Sequence, residues 1–82
     1  MLDPKIEEAI NDQINHEIAS AYNYLAMTSF FEAENLSGFA NWMLVQRTEE
    51  LDHAMRLFRY LLDRRGTVRL AAVDQRASWP NP

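Results

Sequence analysis

Apolar residues recur at spacings of three and four through Ile6, Ile10, Ile14, Ala21 and Tyr24, the repeat of a helix that buries one stripe. Asp3 followed by Pro4 reads as an N-cap with a first-turn proline, and Glu7 and Glu8 suit the positive end of the helix dipole. No breaker intervenes between Lys5 and Ala33, so the pattern predicts one helix over about 4–33. Glu34 to Gly38 predicts a short turn in which Ser37 caps a second helix over about 38–64. Arg64 and Arg65 suit that helix's negative end, and Gly66 is the expected left-handed residue just beyond it. The predicted organisation is an all-α antiparallel hairpin over 1–66 and an irregular tail over 67–82.

Two helices cannot bury all of this apolar surface. From Ala19 to Phe31 and from Phe39 to Val45, apolar residues fall on nearly every side of the helix, the mark of a helix covered all round. Pairing two hairpins into a four-helix bundle solves the problem, so a homodimer at least is expected, with further contacts between bundles. Met27, Met43, Met55, Trp42 and Phe58 are assigned to packing.

Glutamate and histidine interrupt these stripes. At about 100° per residue, Glu17 falls within about 20° of Ile6, Ile10, Tyr24 and Thr28, and Glu50 within about 20° of Phe39, Met43, Leu57 and Leu61. His53 completes Glu-x-x-His with Glu50. A buried, unpaired carboxylate is expensive, and a divalent cation compensates it directly. Two glutamates and one imidazole suit iron, manganese or zinc. Glu-x-x-His alone is common on surface helices. The specificity comes from Glu17, which an antiparallel hairpin sets at the same depth on the facing helix.

The three residues are half of a site, and a second copy supplies the other half. Four carboxylates would neutralise two divalent cations, with two imidazoles completing the set, an arrangement of two Glu helices and two Glu-x-x-His helices that defines a di-metal carboxylate centre. Glu49 is an auxiliary candidate ligand or an exposed glutamate. Tyr24 would hydrogen-bond a ligand or donate an electron, or else serve as a core tyrosine. His16, about 100° off the stripe, is an interfacial or surface histidine.

Charge and composition narrow the alternatives. The net charge of −4 gives no broad support for a nucleic-acid partner. Residues 1–36 hold seven acids against Lys5, and residues 37–82 hold seven arginines against five acids, so an acidic helix rests on a more basic one. The chain has no cysteine, which excludes disulfides and thiolate sites. No basic-then-apolar leader and no membrane-length apolar run is present, so a cytoplasmic protein with no membrane partner is expected. No phosphate loop or Ser/His/Asp arrangement competes with the metal chemistry.

Met1-Leu2-Asp3-Pro4, Glu17, Tyr24, Glu49-Glu50-x-x-His53 and Arg56-Leu57-Phe58-x-Tyr60-Leu61 together resemble the N-terminal half of a non-haem bacterial ferritin, over residues 1 to about 70. The resemblance implies that Glu17, Glu50 and His53 bind iron at a ferroxidase centre, with Glu50 bridging two irons and Tyr24 close behind the ligands. A full ferritin continues through a long crossover into further ligand-bearing helices, whereas this sequence ends within the matching crossover. A half-length ferritin is implied, whose homodimer forms a ferritin-like four-helix bundle holding two irons. Haem is not expected, because Leu51 stands where a haem-binding relative carries methionine. Fe(II) oxidation serving iron storage or detoxification is the leading expectation. A di-metal oxidase or peroxide scavenger without storage is its rival, and a metal-free helical assembly module is the rival from another class. In the tail, Trp79 would anchor on a neighbouring subunit or lie in a disordered terminus.

Overall fold

The computed structural model describes residues 2–73. Helix α1 spans Pro4–Ala33 and helix α2 spans Ser37–Asp63, an antiparallel hairpin within a residue of the predicted limits. Asp3 caps α1 as expected, its extended backbone (φ −60°, ψ 132°) letting the carboxylate accept from the Lys5 amide at 2.7 Å.

Both helix ends depart from expectation at one position, for the same reason. At the end of α1 the left-handed residue is Asn35 (φ 63°), and the Leu36 amide returns to the Phe31 carbonyl at 2.8 Å. This closed turn uses up Asn35 and Leu36, so Leu36 is the N-cap of α2 and Ser37 is its first helical residue rather than its cap. At the end of α2 the left-handed residue is Arg65 (φ 61°) rather than Gly66, while the Gly66 amide bonds the Leu61 carbonyl at 2.8 Å. Glycine is needed at 66 for space. A Cβ there would lie 2.7 Å from Leu61 Cδ1 and 3.1 Å from the Leu61 carbonyl oxygen, and Leu61 is wholly buried.

The seam between the helices is built from Asn11, Ile14 and Ala21 of α1 and Ala40, Ala54 and Leu61 of α2. Alanines let the backbones approach closely, and Ile14 and Leu61 fill the remaining space. The stripes expected to point into the core therefore sit to one side. Glu17 and Glu50 are rotated about 50° from the seam, half-buried on a flank that also carries Ile6, Phe39 and Trp42, which are 50%, 58% and 53% exposed. Trp42 and Met55, expected as packing residues, are exposed in the single chain. Near the hairpin turn Phe39 stacks on Phe31 at 5.5 Å between ring centroids, and Phe39, Trp42 and Met43 line an open apolar groove.

The opposite flank is occupied by the chain itself. Residues 66–73 form neither helix nor strand, and residues 67–71 run along α1 as a strap read through its backbone. Thr67 donates its amide to Glu7 Oε1 at 2.8 Å. Asn11 donates to the Thr67 carbonyl at 2.8 Å and accepts from the Arg69 amide at 2.7 Å. Asn15 repeats the pattern, donating to the Arg69 carbonyl and accepting from the Ala71 amide, each at 2.8 Å. Glu7, Asn11 and Asn15 thus act as a ladder at helical spacing of four, satisfying strand-like groups that have no strand beside them. The Trp79 expectation lies outside the described residues.

Asn11 is 5% exposed and holds two of these backbone groups. Asn11→Ala is expected to cost about 2 kcal/mol, because it leaves the Thr67 carbonyl and the Arg69 amide without their partner. Urea unfolding measures this, and the largest local rise in hydrogen exchange should fall on the Arg69 amide, which Asn11 holds. An unchanged midpoint would contradict the ladder.

Candidate metal centre

Glu17 projects from the middle of α1, and Glu50 and His53 project from successive turns of α2 toward it. One ligand atom from each of the three lies within 4.8 Å of the others, and Glu17 and Glu50 are half-buried while His53 is exposed. The antiparallel register makes this possible, because Ile14 and Ala21 pack in the seam with Ala54 and bracket Glu17 on the same level as Glu50.

The carboxylate of Glu17 is divided between two environments. Its Oε1 accepts from the Gln13 side-chain amide at 2.9 Å. Its Oε2 is buried and, among the described residues, has no hydrogen-bond partner, while His53 Nδ1 stands 3.5 Å away, too far for a good hydrogen bond. A buried carboxylate oxygen facing a second carboxylate and an imidazole nitrogen, all with free lone pairs, fits a divalent cation.

The two carboxyls also shift each other's ionisation in opposite directions. Glu17 is held below the ordinary glutamate range, chiefly by the neighbouring Glu50 carboxyl, with Gln13 and His53 adding to the effect against the cost of burial. Glu50 is held above that range, first by sharing a proton with Glu17 and then by burial. Of the two acids, Glu17 ionises first and Glu50 last. A cation competes with the last proton to leave, so affinity for Zn(II) is expected to rise with pH, by up to about tenfold per unit, through the range in which Glu50 ionises. Competition with a chromophoric chelator measures this, and the dependence should persist when His16 and His53, the two imidazoles whose charge reaches Glu50, are both replaced by alanine. A pH-independent affinity in that variant would contradict the shared proton.

The other expected residues stand apart. Glu49 is exposed and does not join the three. Tyr24 is half-buried, and its carbonyl accepts from the Thr28 hydroxyl at 2.9 Å. Among the described residues no hydrogen bond joins its phenol to the group. His16 is exposed, as expected of a surface histidine. Gln13 escaped the sequence reading, although its position one turn before Glu17 is the signal that could have found it.

The geometry defines a class, a helical hairpin that presents a carboxylate-imidazole metal-binding group on an open flank. The Ferritin-like domain family matches residues 7–82, and the chain belongs to the ferritin family. It is 40% identical over 74 residues to a bacterial non-heme ferritin of Bacteroides fragilis, covering 90% of this chain and 46% of that protein. Identity to the bacterial non-heme ferritin of Staphylococcus aureus is 38% over 74 residues, covering 90% and 45%. The open pore ferritin of the hyperthermophilic archaeon Archaeoglobus fulgidus superposes with a TM-score of 0.91 at 48% identity, over all of this chain and 51% of that one. The chain therefore spans about half the length of these relatives.

No helix among the described residues is long and apolar enough to cross a membrane.

Proposed function

We propose that two copies of this hairpin pack flank to flank, bringing Glu17, Glu50 and His53 of each into one four-helix bundle whose centre binds two Fe(II) ions and oxidises them to Fe(III). The observation that carries this is the buried, donorless Oε2 of Glu17, set against Glu50 and His53 on the flank that the hairpin leaves open. Three ligand atoms do not fill the coordination sphere of a divalent transition metal. A symmetric partner doubles the set, covers Ile6, Phe39 and Trp42, and balances four carboxylates against two cations.

Fe(II) is the substrate in this account. Glu50, on the flank the partner would cover, would bridge the two ions, while Glu17 and His53 of one chain would hold the same ion. Each Fe(II) gives up one electron, and the pair reduces dioxygen with two protons to hydrogen peroxide, or peroxide with two protons to water. Holding both ions together supplies both electrons at one place, which separated ions in solution do not. Family membership and half-length coverage of non-heme ferritins support iron as the metal and storage or detoxification as the purpose.

Anaerobic Fe(II) titration followed by exposure to air tests the proposal, with near-ultraviolet absorbance recording the oxidised iron. Fast oxidation should saturate near one iron per chain. Continued uptake of many irons per chain would add storage, and saturation without further uptake would leave an oxidase or peroxide scavenger. The absence of any fast phase would overturn the proposal and leave a helical assembly module.

A further inference from the structure

The hydrogen bond from Gln13 to Glu17 divides the two oxygens of that carboxylate between different tasks. Gln13 sits one helical turn before Glu17, and its amide occupies Oε1 at 2.9 Å. The oxygen left over is Oε2, and it is this atom that is buried, unpartnered and turned toward His53 Nδ1. A carboxylate free at both oxygens can chelate one cation through both or swing between two cations. A carboxylate pinned through one oxygen presents the other in a fixed direction.

We propose that Gln13 is a positioning residue that makes Glu17 a one-oxygen ligand, aiming Oε2 at the cation shared with His53 and keeping Oε1 out of the coordination sphere. The inference rests on the metal site proposed above and adds to it the orientation of one ligand. Gln13 is exposed in the single chain and contributes nothing to the seam between the helices, so the hairpin itself does not depend on it. Partners behind a metal ligand are typically worth 10–100-fold in metal affinity, because they fix the direction in which the ligand approaches. Lysine at 13 can donate to Oε1 across the same spacing of four.

Co(II) is the probe, since its visible absorption reports both coordination number and ligand arrangement without requiring turnover. Gln13→Leu should bind Co(II) about tenfold more weakly and show a weaker, shifted visible band, as Oε1 joins the cation and coordination number rises. Its thermal unfolding without metal should match the parent. Gln13→Lys should restore the band shape by restoring a donor to Oε1. Parent-like affinity and spectrum in Gln13→Leu would overturn the positioning role while leaving the site intact. If the parent chain shows no protein-dependent Co(II) spectrum, or one unaffected by Glu50→Ala, the site itself fails and the positioning role fails with it.

Discussion

Glu50→Ala is expected to abolish fast Fe(II) oxidation, lowering the rate by at least about a hundredfold, since even the hydrogen-bond partner of a ligand is worth roughly 10–100-fold. Glu50 is the residue for which no other group substitutes. Its carboxylate meets Glu17 of the facing helix and His53 one turn away, one ligand atom of each lying within 4.8 Å of the others. Its loss also leaves Glu17 Oε2 with no acid to share a proton, which moves Glu17 toward the ordinary glutamate range. The fold should survive. Glu50 lies off the seam on an open flank, and alanine is the stronger helix former. Far-ultraviolet circular dichroism should therefore be unchanged while stopped-flow oxidation is lost. Residual oxidation at the parent rate would remove Glu50 from the site.

Leu61→Ala should have the largest effect on stability. Leu61 is wholly buried and packs against Gly66 so tightly that no Cβ fits there without displacing it. Truncation removes its burial energy and leaves a cavity, at a cost of about 3 kcal/mol, and for a chain of this size Tm should fall by on the order of 15 °C. Leu70→Ala is the control, because Leu70 is 65% exposed and should change Tm little. Equal losses in the two variants would show that Leu61 is not the anchor of the hairpin's open end. The Gly66 contact also predicts that the start of the strap loosens in Leu61→Ala, seen as faster exchange at the Thr67 amide, which Glu7 holds at 2.8 Å.

Helix limits were legible in the sequence because the signals were local. Asp3-Pro4 marks a start that depends on nothing distant, and an uninterrupted run from Lys5 to Ala33 leaves a helix no reason to stop. The pairing of Glu17 with Glu50 and His53 was also legible, since a short turn fixes the antiparallel register and the register fixes depth. The face they occupy was not. When apolar residues surround a helix, its periodicity cannot tell the stripe used inside one chain from the stripe kept for another. The seam took the small residues Ala21, Ala40 and Ala54, which pack backbones closely, and left Glu17 and Glu50 about 50° to one side.

Two further features depended on geometry that composition does not record. The left-handed turn positions fell to Asn35 and Arg65, so Ser37 lost its capping role and Gly66 was retained for its lack of a side chain against Leu61. The strap was hidden for a different reason. Glu7, Asn11 and Asn15 bind chiefly backbone groups of residues 67–71, and the one ion pair, Arg69 with Glu7 at 3.6 Å, is too common a pairing to mark the segment as held. A row of amide side chains on a flank, four residues apart, is the sequence mark of such a ladder.

The strap and the metal group lie on opposite sides of the hairpin, which leaves the flank bearing Glu17, Glu50 and His53 free for a second copy. Shared ligation between two chains is the central claim, and native mass spectrometry of the Zn(II)-loaded protein tests it most directly. The account predicts dimers, or multiples of dimers, carrying two Zn(II) per pair of chains, with Glu17→Ala losing the metal. Monomers that each retain one Zn(II), or dimers whose metal content is unaffected by Glu17→Ala, would contradict it.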